Sequence, residues 1–146
     1  MTILSDAEIL ECLCSGELRI DPFSDKSLSP AGYDLRNGAS TAIDVGKQSL
    51  LHTMERLEMG PSICGQIYIR SSFAREGLVG SFAFIDPGFK GQLTLAFINM
   101  GISRVEIAEG ERIAQVVFNK MGSSSSKPYS GRYQNSTGTV SSKRNF

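Results

Sequence analysis

Turn-forming residues interrupt this chain so often that few segments are long enough for a helix. They separate short apolar runs near residues 33–36, 41–45, 50–58, 64–69, 78–85, 92–98, 103–107 and 112–119. Many short strands at this spacing are typical of β-sandwiches and jelly-roll barrels. We therefore predict a mainly β domain, folded as a distorted jelly-roll-like β-barrel.

One helix is predicted, at the N-terminus. Ser5 and Glu8 have the spacing of a capping box, and Gly16 is placed to end the helix. Ile9, Leu10 and Leu13 would form its apolar face. A single short helical turn is also expected around the sequence SSFARE, at residues 71–76.

The charge balance argues against two classes of partner. The 146 residues include 15 lysines and arginines against 15 aspartates and glutamates. A neutral chain gives no electrostatic reason to bind nucleic acid or an anionic membrane. No apolar run approaches the ~20 residues of a membrane span, and no signal peptide is recognisable, so we expect a soluble, cytoplasmic protein.

The cysteines and the histidine do not suggest a metal centre. Cys12 and Cys14 lack a zinc-binding spacing, and His52, the only histidine, has no sulfur partner near it in the sequence. This composition excludes the zinc-dependent nucleoside deaminases, which need an H-x-E and a P-C-x-x-C motif.

The composition changes after Met121, which divides the chain into a domain at 1–121 and a tail at 122–146. The tail has eight serines, no acid and four basic residues. Such a segment cannot bury enough apolar surface to fold alone. Its alternatives are a disordered terminus and a flexible lid that orders over a phosphate ligand through its arginines and tyrosines.

Four stretches carry side chains suited to catalysis or binding: PAGYDLRNG at 30–38, IYIRSSFAREGL at 67–78, FIDPGFKGQ at 84–92 and GERIAQVVF at 110–118. Each has a structural alternative when taken singly, such as a turn braced by Asp86 or a solvated surface arginine at 75. Together they indicate one site, with arginine and serine groups for phosphate oxygens and a carboxylate to activate water.

These stretches resemble the ordered motifs of the trimeric dUTPase and dCTP deaminase superfamily. AGYDL and GERIAQ are similar to the dUTPase forms, whereas RSSFAR and IDPGF are similar to the deaminase forms. The opening ILSDAEILECLCSGELRIDPF looks like that of dCTP deaminases and archaeal dUTPases, and STG at 136–138 is similar to the last dUTPase motif. The resemblance implies a homotrimer with shared active sites.

The resemblance also places the catalytic acids. Deaminases of the superfamily carry a proton-shuttling glutamate in a segment reading T-L-E-F, and the corresponding residues here are Thr94-Leu95-Ala96-Phe97. Alanine cannot carry a proton. The dUTPases instead use the aspartate that corresponds to Asp86, to activate water against the α-phosphate. On this ground we predict a dUTP diphosphatase that forms dUMP and pyrophosphate, with Asp86 as the base.

The resemblance implies the remaining roles. Mg²⁺ would arrive with the triphosphate, and Asp34 would face its water shell. The predicted phosphate-binding residues are Arg70, Ser71, Ser72, Arg75, Gln115, Arg132, Ser136 and Thr137. The predicted base- and deoxyribose-binding residues are Gly80, Ser81, Phe82, Ala83, Phe89 and Tyr133. The alternatives are a dCTP deaminase that uses another acid, a bifunctional deaminase and diphosphatase, and a nucleotide-binding relative without turnover.

Overall fold

A computed structural model describes residues 2–144 and confirms a mainly β fold. The strands are β1 (Thr2–Ile3), β2 (Leu18–Asp21), β3 (Leu28–Ser29), β4 (Gly32–Arg36), β5 (Thr41–Ile43), β6 (Gln48–Met59), β7 (Ile63–Ile69), β8 (Leu78–Ser81), β9 (Lys90–Asn99), β10 (Val105–Ile107) and β11 (Arg112–Lys120). The helices are α1 (Asp6–Ser15) and α2 (Ser71–Arg75), with a 3₁₀ turn at Asp25–Ser27. Neither helix is long and apolar enough to cross a membrane.

The predicted capping of α1 is confirmed. The Glu8 amide donates to Ser5 Oγ at 3.2 Å, and the Ser5 amide donates to Glu8 Oε2 at 2.8 Å. Gly16 ends the helix in the left-handed conformation, at φ 79°. The predicted apolar face is wrong in one position, because Leu10 is exposed and Cys12 is buried beside Ile9. A cysteine packs as a small apolar residue, and it completes the face here.

The strands form two principal sheets and a small third one. In the first, β11 pairs with β7 along one edge and with β4 and β1 along the other, and β3 extends the sheet beyond β4. The second has the order β2-β6-β9-β8, and β5 pairs with β10. All these pairings are antiparallel.

Two apolar clusters form the core. The first joins α1 to β4, β7 and β11 around Tyr33, Ile63 and Phe118. The second joins β9 to β5, β10 and α2 around Phe97 and Phe73. Because Phe73 is buried while its neighbours in α2 are exposed, α2 is fixed with its polar side chains turned to solvent.

The strand predicted at 78–85 ends early, at Ser81. The Phe82 ring packs edge-on against Phe97, with the ring centroids 5.3 Å apart. The chain then leaves the second sheet, and Ile85 pairs with Gly65 of β7 through two backbone hydrogen bonds of 2.9 Å. The segment between them therefore bridges the two sheets.

The described part of the tail lies against β9 and the turn before it. The Tyr129 ring packs edge-on against Phe89 at 5.6 Å between centroids, and the Gln92 amide donates to Ser136 O at 2.9 Å. The Val140 amide donates to Thr94 Oγ1 at 3.0 Å. These contacts place the tail over the same part of the barrel as the Asp86 turn, and its role as a lid stays a prediction.

Candidate active site

A cavity of about 530 Å³ lies between the 83–89 segment, β9 and the tail. Its walls are mostly apolar. Its lining residues are Gln48, Leu50, Ile67, Ala83, Phe84, Ile85, Asp86, Phe89, Gln92, Leu93, Thr94, Leu95, Tyr129, Tyr133, Ser136, Val140 and Ser142. Asp86 is the only residue with a carboxylate side chain among them, and it is exposed to solvent. The cavity can therefore offer one proton acceptor of this kind to a bound molecule.

The turn that carries Asp86 is well fixed. The Phe89 amide donates to Asp86 O at 3.1 Å, which closes the Pro87-Gly88 turn, and Gly88 donates to Met59 O at 3.1 Å. Phe89 is buried below this turn. The position of the carboxylate thus depends on backbone contacts and leaves its oxygens available.

The predicted base- and deoxyribose-binding residues divide into two groups. Ala83, Phe89 and Tyr133 line the cavity. Gly80, Ser81 and Phe82 do not line it; Gly80 and Ser81 pair with β9, and Phe82 packs on the second core cluster. The first group lies where a base could be held, whereas the second group supports the segment from behind.

The predicted phosphate-binding residues of the barrel lie apart from this cavity. Arg70 directly precedes α2. The helix itself exposes Ser71, Ser72 and Arg75, and none of these four residues lines the cavity. Gln115 is on β11 beside Asp34 of β4, and its Nε2 donates to Ser29 Oγ at 2.7 Å. The structure of this chain brings Arg70, Asp34 and Gln115 into one region, and it does not join that region to Asp86.

The predicted phosphate ligands of the tail are also divided. Ser136 lines the cavity, but its Oγ donates to Tyr133 O at 2.6 Å and so braces a turn. Arg132 and Thr137 are exposed outside the cavity lining. Arg132 Nη1 donates to Lys143 O at 2.8 Å, within the tail itself.

Asp34 lies between two arginines, and its predicted place next to the water shell of Mg²⁺ stays a prediction. It is 9% exposed, and its Oδ2 lies 3.4 Å from Arg70 Nε and 3.5 Å from Arg112 Nη1. Among residues 2–144, no group of three or more His, Cys, Asp or Glu side chains could hold a metal ion. The positive charge next to Asp34 therefore comes from two arginines of the protein, Arg70 and Arg112.

A buried ion pair supports β4, the strand that carries Asp34. Glu55 of β6 is fully buried, and it accepts from the Arg36 amide at 2.9 Å and from Arg36 Nε at 2.7 Å. Burial raises the pKa of the Glu55 carboxyl, while the bonds from Arg36 act in the opposite direction. This pair links the two sheets, and it could not be predicted because the partners are 19 residues apart.

A second cavity, of about 610 Å³, shares Asp86, Phe84 and Tyr129 with the first and also contacts Cys64. Burial raises the pKa of the Cys64 thiol, and the charge of Asp86 raises it further. Cys64 Sγ also donates to Asn119 O at 3.6 Å. Cys64 is 2% exposed, and a buried thiol held in its protonated form is a poor nucleophile.

Sequence reasoning missed several residues that line the first cavity, notably Gln92, Thr94 and Tyr129. Tyr129 packs on the Phe89 ring, and the side chains of Gln92 and Thr94 accept hydrogen bonds from tail amides. The alternation of β9 was the available signal, since Gln92 and Thr94 share one face of the strand with Ala96.

Comparison with known proteins identifies the family. A model of the dCTP deaminase-like family matches residues 37–121. A curated dCTP deaminase from Pyrococcus horikoshii is 45% identical over 143 residues, covering 88% of this chain and 92% of the relative.

Two solved structures have the same fold. The dCTP deaminase from Agrobacterium tumefaciens superposes with a TM-score of 0.71 at 18% identity, over 82% of this chain and 49% of that one. The EIAV dUTPase superposes with a TM-score of 0.60 at 25% identity, over 79% of this chain and 96% of that one.

The prediction of a dUTP diphosphatase is wrong, because relatives 41–45% identical to this chain over most of its length are named dCTP deaminase. The prediction took Ala96 to exclude deamination. An alanine at one strand position removes one proton carrier, but it leaves Asp86 as a carboxylate in the cavity. The family model and the archaeal relatives agree over most of the sequence, and the chain therefore belongs to the dCTP deaminase-like family, within the superfamily of dUTPases and dCTP deaminases.

Proposed function

We propose that this protein is a dCTP deaminase, which converts dCTP and water to dUTP and ammonia. The curated relatives support the substrate and the reaction. One observation carries the assignment of the catalytic group: among residues 2–144, Asp86 is the only carboxylate that lines the apolar cavity.

In this proposal, Asp86 moves the protons of the reaction. Its carboxylate accepts a proton from the water whose oxygen forms a bond to C4 of the cytosine ring. That proton passes to ring N3 as the C4–N3 double bond becomes a single bond. The remaining proton of the added hydroxyl is then carried to the exocyclic amino group, the bond between C4 and that nitrogen breaks, the C4 oxygen becomes the carbonyl of uracil, and ammonia leaves. Ile85 and Phe89 line the cavity on either side of the Asp86 turn, and both are buried, so they present apolar surface to the ring.

We propose that the triphosphate binds to Arg70, Ser71, Ser72, Arg75 and Gln115, and that Arg132 and Thr137 of the tail close over it. Because the barrel residues of this set do not line the cavity of their own subunit, the proposal requires a homotrimer in which a neighbouring subunit supplies them. Mg²⁺ would arrive with the triphosphate. Since Asp34 is already between two arginines, we assign it to them rather than to the water shell of the metal.

Asp86→Asn tests the catalytic assignment. The substitution is nearly isosteric but cannot accept a proton, so kcat for ammonia release from dCTP should fall by ~10²–10⁴-fold, typical of a general base, with KM little changed. Asp44→Asn is the matched control, since Asp44 is an exposed acid paired with Arg104 at 3.1 Å. Ammonia release by Asp86→Asn at the wild-type rate would contradict the role of Asp86.

A further inference from the structure

Two arginines that are distant in the sequence converge on a single carboxylate oxygen. Arg70 follows β7 and Arg112 begins β11, and both lie within 3.5 Å of Asp34 Oδ2. Arg112 was not among the predicted binding residues. It contacts one of them, Arg70, and it also contacts Asp34, which raises the question of what it does there.

Backbone contacts fix both guanidinium groups. Arg112 Nη1 donates to Lys26 O at 2.9 Å, and Arg70 Nη1 donates to Arg112 O at 3.2 Å. Each group still has N–H donors to spare. Within residues 2–144, Arg112 Nε and Nη2 and Arg70 Nη2 have no hydrogen-bond partner. The two side chains are 43% and 31% exposed, so these donors can reach a ligand.

The charges around the pair do not cancel. Arg112 lies opposite Arg36 in the β11–β4 pairing, but Arg36 is matched by Glu55. Asp34 then carries one negative charge against the two positive charges of Arg70 and Arg112. One positive charge remains in excess at a partly buried position, with Arg75 nearby in sequence on α2.

We propose that Arg112 is a phosphate-binding residue, which acts with Arg70 as a pair oriented by Asp34 to hold the terminal oxygens of a triphosphate. Guanidinium groups present a planar fork of donors that matches phosphate oxygens, and orientation by Asp34 reduces the side-chain freedom lost on binding. This inference rests on the proposed function only for the identity of the nucleotide.

The experiment measures binding rather than turnover, by titration calorimetry of the full chain with inorganic triphosphate, dCTP and dCMP. Arg112→Gln should weaken the binding of inorganic triphosphate and of dCTP about tenfold or more, because a charge-assisted bidentate contact is lost. The same substitution should change the affinity for dCMP much less. Arg112→Lys keeps the charge but loses the fork, so its loss should be intermediate. Arg104→Gln is the control, because Arg104 pairs with exposed acids elsewhere.

Each outcome bears on the proposal. An unchanged affinity of Arg112→Gln for inorganic triphosphate would overturn it. Equal losses for dCTP and dCMP would also overturn it, since they indicate a structural defect. Asp34→Asn should weaken triphosphate binding as well, because it releases both arginines. If the wild-type protein binds inorganic triphosphate in this pattern but releases no ammonia from dCTP, the phosphate assignment stands and the proposed function fails.

Discussion

At the scale of single residues, Ala96 and Asp86 show how a motif can mislead. Ala96 is half-buried on β9, between Leu50 of β6 and Ser81 of β8. The sequence alone shows that no acid is present there. Asp86 was predicted as the base for phosphate hydrolysis, but the sequence does not show that it lines the apolar cavity beside β9, because that depends on how the 82–89 segment crosses between the sheets. The chemistry of a site follows from the groups that line it, whichever strand carries them.

A pH-dependent prediction belongs to Glu8, the residue that closes the capping box of α1. Hydrogen bonds from the backbone and side chain of Ser5 hold the pKa of this carboxyl below its ordinary value of 4.5. Since the folded-state pKa is the lower one, Glu8 stabilises the fold above that ordinary value and loses the contribution as pH falls through the folded-state pKa. The stability difference between wild type and Glu8→Gln should therefore shrink on acidification.

The measurement is an NMR titration of the Glu8 carboxyl, together with thermal unfolding of both proteins at neutral and acidic pH. A titration midpoint at or above 4.5 would show that the capping box does not favour the charged form.

At the scale of elements, the segment after β8 depends on a glycine. A Cβ atom at Gly80 would lie 2.0 Å from Cζ of the Phe82 ring. Gly80→Ala should therefore displace Phe82 from Phe97 and destabilise the protein by about 1–3 kcal/mol, as overpacked cores do. Gly122→Ala is the control, since a Cβ there has no neighbour within 4 Å.

Chemical denaturation measures this effect, and a double variant makes it specific. In the double variant Gly80→Ala/Phe82→Ala the clash is absent, so the losses in the free energy of unfolding caused by the two single changes should not add. Strictly additive losses would mean that the Gly80–Phe82 contact does not hold the segment.

The elements also show what could be predicted. Runs of alternating or continuous apolar residues located β4, β6, β7, β9 and β11, and the capping signals located α1. The two-residue strands β1 and β3 are too short to show any periodicity, so they were missed. The strand at 78–85 was predicted too long because its apolar run continues through Phe82 and Phe84, although the chain changes sheets there.

At the scale of the whole molecule, the proposed function needs more than one subunit to complete a site. Asp86 and the α2 phosphate set do not share the cavity of one chain. The sequence motifs contain no distances between the predicted site residues, and only the resemblance to the superfamily led us to expect active sites shared between subunits. A closed trimer makes three equivalent sites from the same pair of surfaces.

Mixing two inactive variants tests this arrangement. Arg75→Ala and Asp86→Asn should each lose activity, and a co-refolded mixture should recover about one quarter of the wild-type rate, because random mixing in a symmetric trimer gives that share of intact sites. Light scattering should give three times the 15.8 kDa chain mass. A mixture as inactive as its components would place all catalytic and phosphate groups within one subunit.

The most direct test of the central claim is the fate of water oxygen during turnover of dCTP by the wild-type protein in ¹⁸O-labelled water. Deamination should release ammonia in an amount equal to the dUTP formed and place one ¹⁸O atom on C4 of its uracil ring, as mass spectrometry of the product can show. Label found in the phosphate groups, with pyrophosphate released and no ammonia, would contradict the account.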